Sequence, residues 1–211
     1  MTASPPVTAR IREDLSSGHL RSGQKILQEQ LAARYGVSRI PLREALNELQ
    51  AEGLVVHEPN RGYFVAELRA ADMQEVYRLR ELLEAEAIEA ACRNLSDVAV
   101  DRISELADEV ELALSTGDLG TIGRANRAFH FAIFKAAGMA RLTRILNSLW
   151  DATELYRGLY FQDGLNHRHI TEEHAALIAA LRVRDTRAAV AAQAAHRERS
   201  LAHVSNQLTT G

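Results

Sequence analysis

The chain has one cysteine, four prolines and few aromatic residues, and each scarcity excludes something. A single thiol, Cys92, rules out an intramolecular disulfide, and its place in the apolar stretch EAIEAACRNL suits a small buried hydrophobe. No window approaches the ~18–20 uninterrupted apolar residues of a membrane span, and the opening MTASPPVTAR lacks the apolar run of a secretory signal. From these absences we expect a cytoplasmic protein with no membrane partner. Aromatics are only 5% of the residues while Ala, Leu and Arg are plentiful, so helix is the default expectation. Nor is there a strong charge of one sign: residues 1–66 carry eight basic and seven acidic side chains, and the remainder 17 and 21. That imbalance is too slight to identify a partner, so residue order has to do so.

The order divides the chain in two. Pro5, Pro6, Gly18, Gly23, Gly36, Pro41, Gly53, Pro59 and Gly62 cut the first 66 residues into short elements, and no proline follows Pro59. From about Ala70 onward the pattern becomes long amphipathic runs, which places the boundary near Val65 to Arg69. We therefore expect domains at 1–66 and 67–211. In the first, Val7, Ile11 and Leu15 recur at helical spacing before Gly18, and residues 24–27 fit a short strand. Gln28 to Tyr35 reads as a two-turn helix stopped by Gly36. Ser38 is placed to cap a third helix, which tolerates Pro41 in its first turn and ends near Glu52 and Gly53. Two strands, Leu54 to His57 and Tyr63 to Val65, flank a turn.

Helix, turn, helix and hairpin together make a winged helix-turn-helix. At 100° per residue, Leu42, Ala45, Leu46 and Leu49 fall on the anchoring side of the third helix. Arg39, Arg43, Asn47 and Gln50 share an adjacent arc of about 80°. A recognition helix presents its N-terminal residues to base edges, and an arginine there donates two hydrogen bonds to guanine. Arg39, on the first turn, is the candidate for that contact.

The stretch LAARYGVSRIPLREALNELQAEGLVVHEPNRGYFV resembles the DNA-binding domain of the GntR superfamily. The resemblance implies that Ser38, Arg39, Ile40, Pro41 and Arg43 lie at the DNA and that the Arg61-Gly62 wing tip enters the minor groove. Three residues depart from the family pattern: Ile40 for threonine, Glu29 for the arginine many members carry, and Ser22 for proline. A carboxylate at Glu29 is expected to repel phosphate.

The second half reads as six helices, about 70–92, 97–115, 118–137, 139–158, 163–183 and 186–208, with Asp72 and Ser96 as caps or near-caps. Apolar stripes such as Val76, Leu79, Leu83 and Ile88 point to an antiparallel bundle. The expected fold is thus mainly α, a winged helix-turn-helix followed by a six-helix bundle. The bundle resembles the FCD effector domain of the FadR subfamily, and six helices fit its shorter, VanR-like branch. Asn126 and His130 share a helix face at i and i+4, while His174 and His196 lie on the last two helices. Three imidazoles and an amide oxygen suit a borderline divalent ion such as Zn2+, Ni2+ or Mn2+. The resemblance adds that FCD domains commonly hold a metal through these positions, with aspartate where this chain has Asn126.

Small carboxylates and sugar acids are frequent effectors of such domains, and Arg80 matches a position where the family often places a pocket arginine. An intrahelical ion pair of Arg80 with Glu84 is equally compatible with the spacing. The function expected is a ligand-responsive regulator, a repressor in the family's usual sense, binding a pseudo-palindromic DNA operator as a homodimer. Two alternatives stand beside it. One is a metal-dependent enzyme, against which the only acid adjacent to a proposed ligand, Glu173, diverges from its helix neighbour His174 by about 100°. The other is a constitutive DNA-binding dimer without an effector.

Overall fold

Short punctuated elements build the N-terminal head. The computed structural model describes residues 5–67 and 70–210. Ile11 and Leu15 are buried on α1 (Val7–Ser16). β1 (Lys25–Ile26) precedes α2 (Gln28–Tyr35), and Gly36 at φ 64 closes α2 through Val37 N–H to the Ala32 carbonyl at 3.0 Å. α3 (Arg39–Ala51) starts after Ser38, which has the extended backbone of a cap but no side-chain cap bond. Leu42, Ala45, Leu46 and Leu49 are buried, as their spacing requires. β2 (Val55–Glu58) and β3 (Gly62–Val65) form the wing. β1 pairs antiparallel with the other edge of β3, setting Lys25 opposite Phe64, so the strand order is β1-β3-β2. Gly62 at φ 99 lets the chain turn back after Asn60 and Arg61.

The bundle comprises α4 (Ala70–Asn94), α5 (Asp97–Thr116), α6 (Leu119–Ala136), α7 (Ala140–Ala152), α8 (Glu154–Gln162), α9 (Leu165–Arg182) and α10 (Thr186–Thr210). Its core is separate from that of the head and includes Ile88, Phe129, Phe134, Leu146, Trp150 and Leu181. Ser96 caps α5 and Asp118 caps α6, whereas Asp72 lies inside the first turn of α4 rather than ahead of it. Leu68 and Arg69, at the expected domain boundary, lie outside the described residues.

Two expectations are corrected. The helix expected over 139–158 is broken at Thr153, so the described bundle has seven helices, and the helix count no longer supports the shorter branch. Thr153 Oγ1 donates to the Trp150 carbonyl at 3.1 Å, and Arg157 donates to that carbonyl at 2.7 Å. Side chains thereby satisfy the last carbonyls of α7, and no glycine or proline is needed to end it. On α4 the buried face runs through Met73, Tyr77, Arg80, Glu84, Ala87 and Ala91, leaving Leu79 43% exposed. Of the expected stripe Ile88 is fully buried and Val76 and Leu83 partly so, and only Leu79 points outward, while the polar Arg80 and Glu84 share the inward face.

Candidate functional sites: a histidine cluster and a nucleic-acid interface

α6 brings Asn126 and His130 inward, α9 brings His174 and α10 brings His196, and all four are buried. The three imidazole centroids form a triangle with each side 5.0 Å. One ring nitrogen from each lies within 4.8 Å of the others. Asn126 Oδ1, both nitrogens of His130 and His174 Nε2 are buried with no hydrogen-bond partner. Unpaired buried polar atoms cost about 1–3 kcal/mol each, so four at one locus fit a partner that completes them. Burial, and then the neighbouring imidazoles, push His130 well below the ordinary histidine value, and burial with His196 does the same for His174. Both rings are therefore neutral at pH 7, the form that donates a lone pair to a cation. The donor set of three imidazoles with an amide oxygen fits a borderline divalent ion.

Glu173 contributes something the sequence reading missed. Its Oε2 lies 2.8 Å from Nδ1 of His196 on α10. Arg199 donates to the other carboxylate oxygen at 2.5 Å. Burial would raise Glu173, but His196 and Arg199 hold it below the usual carboxylate range. With Nδ1–H donated to Glu173, His196 turns Nε2 toward the cluster, the outer-shell arrangement that orients a ligating imidazole. His167 and His169 stand apart from this group, His167 against the Phe161 carbonyl and His169 near Glu172.

Beside the triad, Arg80 pairs with Glu84 at 2.8 Å, both fully buried. Glu84 also accepts from Trp150 Nε1 and Gln193, each at 2.9 Å. Burial would raise the Glu84 carboxyl, but Arg80, Gln193 and Arg197 outweigh it and hold it low. The guanidiniums of Arg80 and Arg157 lie 4.4 and 4.6 Å from the Trp150 ring. Arg80, Asn126, Trp150, Arg157, Tyr160 and His196 enclose a cavity of about 10 Å³, room for one water-sized body. Arg157 Nε and Tyr160 Oη have no hydrogen-bond partner there. Arg80 thus makes the intrahelical pair and borders a cavity next to the histidines.

In the head, Ser38, Arg39, Ile40 and Arg43 are exposed at the start of α3, Ile40 at 71%, and Pro41 is half-buried. Arg39 and the wing residues Arg61 and Gly62 border one groove with Lys25 and Glu29. Glu29 accepts from Arg39, and Glu58 accepts from Arg61. Asn47, also exposed on α3, accepts a hydrogen bond at Oδ1 from Tyr63 Oη of the wing at 2.6 Å.

A winged helix-turn-helix whose third helix exposes Arg39 and Arg43 in its first turns, joined to a helical bundle, defines a DNA-binding transcriptional regulator. Comparison with known proteins agrees. Residues 4–65 match the gntR family of bacterial regulatory proteins and residues 75–199 match the FCD domain, so the chain belongs to the GntR family with an FCD domain. It is 32% identical to the Nta operon transcriptional regulator of Aminobacter aminovorans, over 75% of this chain and 73% of that protein. It is 30% identical to the Escherichia coli regulator McbR, over 83% of this chain and 80% of McbR. The solved structure of E. coli McbR/YncC superposes with a TM-score of 0.85 at 26% identity, covering 96% of each chain. Proteins of this family are transcriptional regulators and not enzymes, which removes the metal-enzyme alternative. No described helix is long and apolar enough to cross a membrane.

Proposed function

We propose that this chain is a homodimeric repressor whose grip on operator DNA is released by a small carboxylate or sugar acid bound beside a divalent metal. The observation that carries the reading is the buried histidine triangle with its unpaired donor atoms. In this reading the chain divides at 66/67. Ser38, Arg39, Ile40, Pro41 and Arg43 meet the major groove, and Arg61 with Gly62 meets the minor groove. Asn126, His130, His174 and His196 hold the metal, Zn2+ before Ni2+ or Mn2+. A bound ion supplies a Lewis-acidic centre for a carboxylate oxygen. Arg80 binds the same carboxylate through its fork, and Arg157 and Tyr160 offer the neighbouring donors. Similarity to the gluconate operon repressor of Bacillus licheniformis and the repressor GlaR of E. coli supports the repressor sense.

Such an effector exceeds the present cavity, so its entry has to move Arg157 and Tyr160. Arg157 ends α7 at Thr153, and α8, which carries Arg157 and Tyr160, packs on α1 of the head. A second link lies beside the triad: Arg127 follows Asn126 on α6 and pairs with Asp151 at 2.8 Å. Asp151 in turn faces Arg12 of α1, and Arg12 pairs with Glu52 at the end of the recognition helix. Pulling on the junction of α7 and α8 therefore shifts the contacts that seat the head.

The test is fluorescence anisotropy on a duplex selected by the chain from a random pool. Titration with gluconate and dicarboxylates is expected to release DNA from metal-loaded protein and not from chelated protein. Release that is unaffected by chelation, or no release by any carboxylate, contradicts the reading. Sedimentation of the complex is expected to show a dimer, and a monomer on the operator contradicts that part.

A further inference from the structure

The groove between α2, the start of α3 and the wing carries three cations, Lys25, Arg39 and Arg61, and one acid, Glu29. Glu29 accepts a hydrogen bond from Arg39 Nη2, and both side chains are about three-quarters exposed. An exposed ion pair adds little to stability, and an acid in the first turn of α2 gains only a modest helix-dipole contribution, so stability gives a weak reason for a carboxylate at this place. On a surface that faces a polyanion it acts against binding, since affinity for DNA of any sequence comes from cations meeting phosphate.

For Arg39 the consequence differs between a phosphate and a base. An arginine already held by a carboxylate exchanges one anion for another when it meets phosphate, and gains little. Its guanidinium has five N–H donors in a fixed fork, and a carboxylate at Nη2 leaves enough of them for the O6 and N7 of guanine. Pairing also narrows the range of directions the long side chain samples. We propose that Glu29 is a specificity-determining residue of the head, which aims Arg39 at a base edge and suppresses its use on phosphate. This rests on the reading of Arg39 as a base contact.

The test uses the full chain, a duplex selected by it from a random pool, and a shuffled duplex of the same composition, titrated over a range of salt. Glu29→Gln is expected to bind the shuffled duplex roughly three- to five-fold tighter, the worth of an exposed charge pair. Its dependence of log affinity on log salt should steepen by about one phosphate, ~0.9 in slope. The selected duplex should gain less, so discrimination falls. In an Arg39→Ala background the gain should shrink. Equal gain on both duplexes, no change in affinity or slope, or a full gain without Arg39 overturns the role of Glu29. If Arg39→Ala alone abolishes discrimination while Glu29→Gln does nothing, only the Glu29 inference fails. If Arg39→Ala keeps full discrimination, both fail.

Discussion

Arg12, in the first helix of the head, lies 3.6 Å from Asp151, in the seventh helix-borne segment of the fold, α7 of the bundle. The same carboxylate is 2.8 Å from Arg127, one residue beyond Asn126. One acid therefore serves a cation of the head and a cation of the helix that carries half the histidine site. Asp151→Asn keeps the shape and removes the charge. We expect it to cut the effect of a releasing carboxylate on operator affinity by about 1 kcal/mol, roughly five-fold, while metal content stays the same. Paired anisotropy titrations with and without the carboxylate check this, and an undiminished response would place the coupling elsewhere.

Glu173 orients His196 from outside the donor set. Replacing it with glutamine preserves size and removes the charge that fixes the imidazole tautomer. Metal affinity, measured by competition with a chromophoric chelator, should fall about 10- to 100-fold. The melting temperature of the metal-free protein separates this from unfolding, and an unchanged affinity would reduce Glu173 to a surface tether for Arg199.

Acid should destabilise the metal-free protein through its histidines. His130 and His174 have folded values depressed below 6.5 by burial, so below that pH the unfolded chain binds protons that the folded chain does not. Their share of stability is complete above pH 6.5 and is lost as pH falls below it, by up to about 1.4 kcal/mol per pH unit for each ring. Chemical denaturation of chelated protein between pH 7.5 and 5.5 reads this slope, and a His130→Gln variant should show a shallower one. A flat profile would mean that the rings are accessible to solvent protons when folded.

Glu84 is the buried anion on which Arg80 and Arg197 depend. Glu84→Ala leaves two guanidiniums uncompensated in the core and should cost about 3–5 kcal/mol. The double change Arg80→Met with Glu84→Leu should recover part of that loss in urea unfolding. If it recovers nothing, packing around Trp150 rather than charge sets the cost.

Much of the head was legible because its turns are written in glycine and serine: Gly36, Ser38 and Gly53 fixed the ends of two helices to within a residue or two. The histidine ligands were legible as positions on helix faces, with the family resemblance supplying which of them to join. What escaped depends on contacts between elements. Thr153 breaks α7 through hydrogen bonds that include Arg157, with no local breaker to announce it. Arg80 and Glu84 have the spacing of an exposed pair, and only the packing of α10 and Trp150 against them makes the pair a buried one. Leu79 fits the apolar spacing of α4, yet its neighbour Arg80 takes the inward place because Glu84 and Trp150 partner its charge there. Asn47 shares a helical arc with Arg39, and its hydrogen bond from Tyr63 of the wing is a contact between elements that spacing does not announce. Glu173 acts on a histidine of another helix, and nothing in its own sequence neighbourhood marks that.

The most direct measurement is the metal content of the chain purified without chelators and without a nickel column, by mass spectrometry of the ions, beside His130→Ala and His174→Ala. A metal-dependent sensor should retain about one divalent ion per chain, lost in both variants while their heads still bind DNA. Wild-type protein that carries no ion and takes up none of Zn2+, Ni2+ or Mn2+ would contradict it.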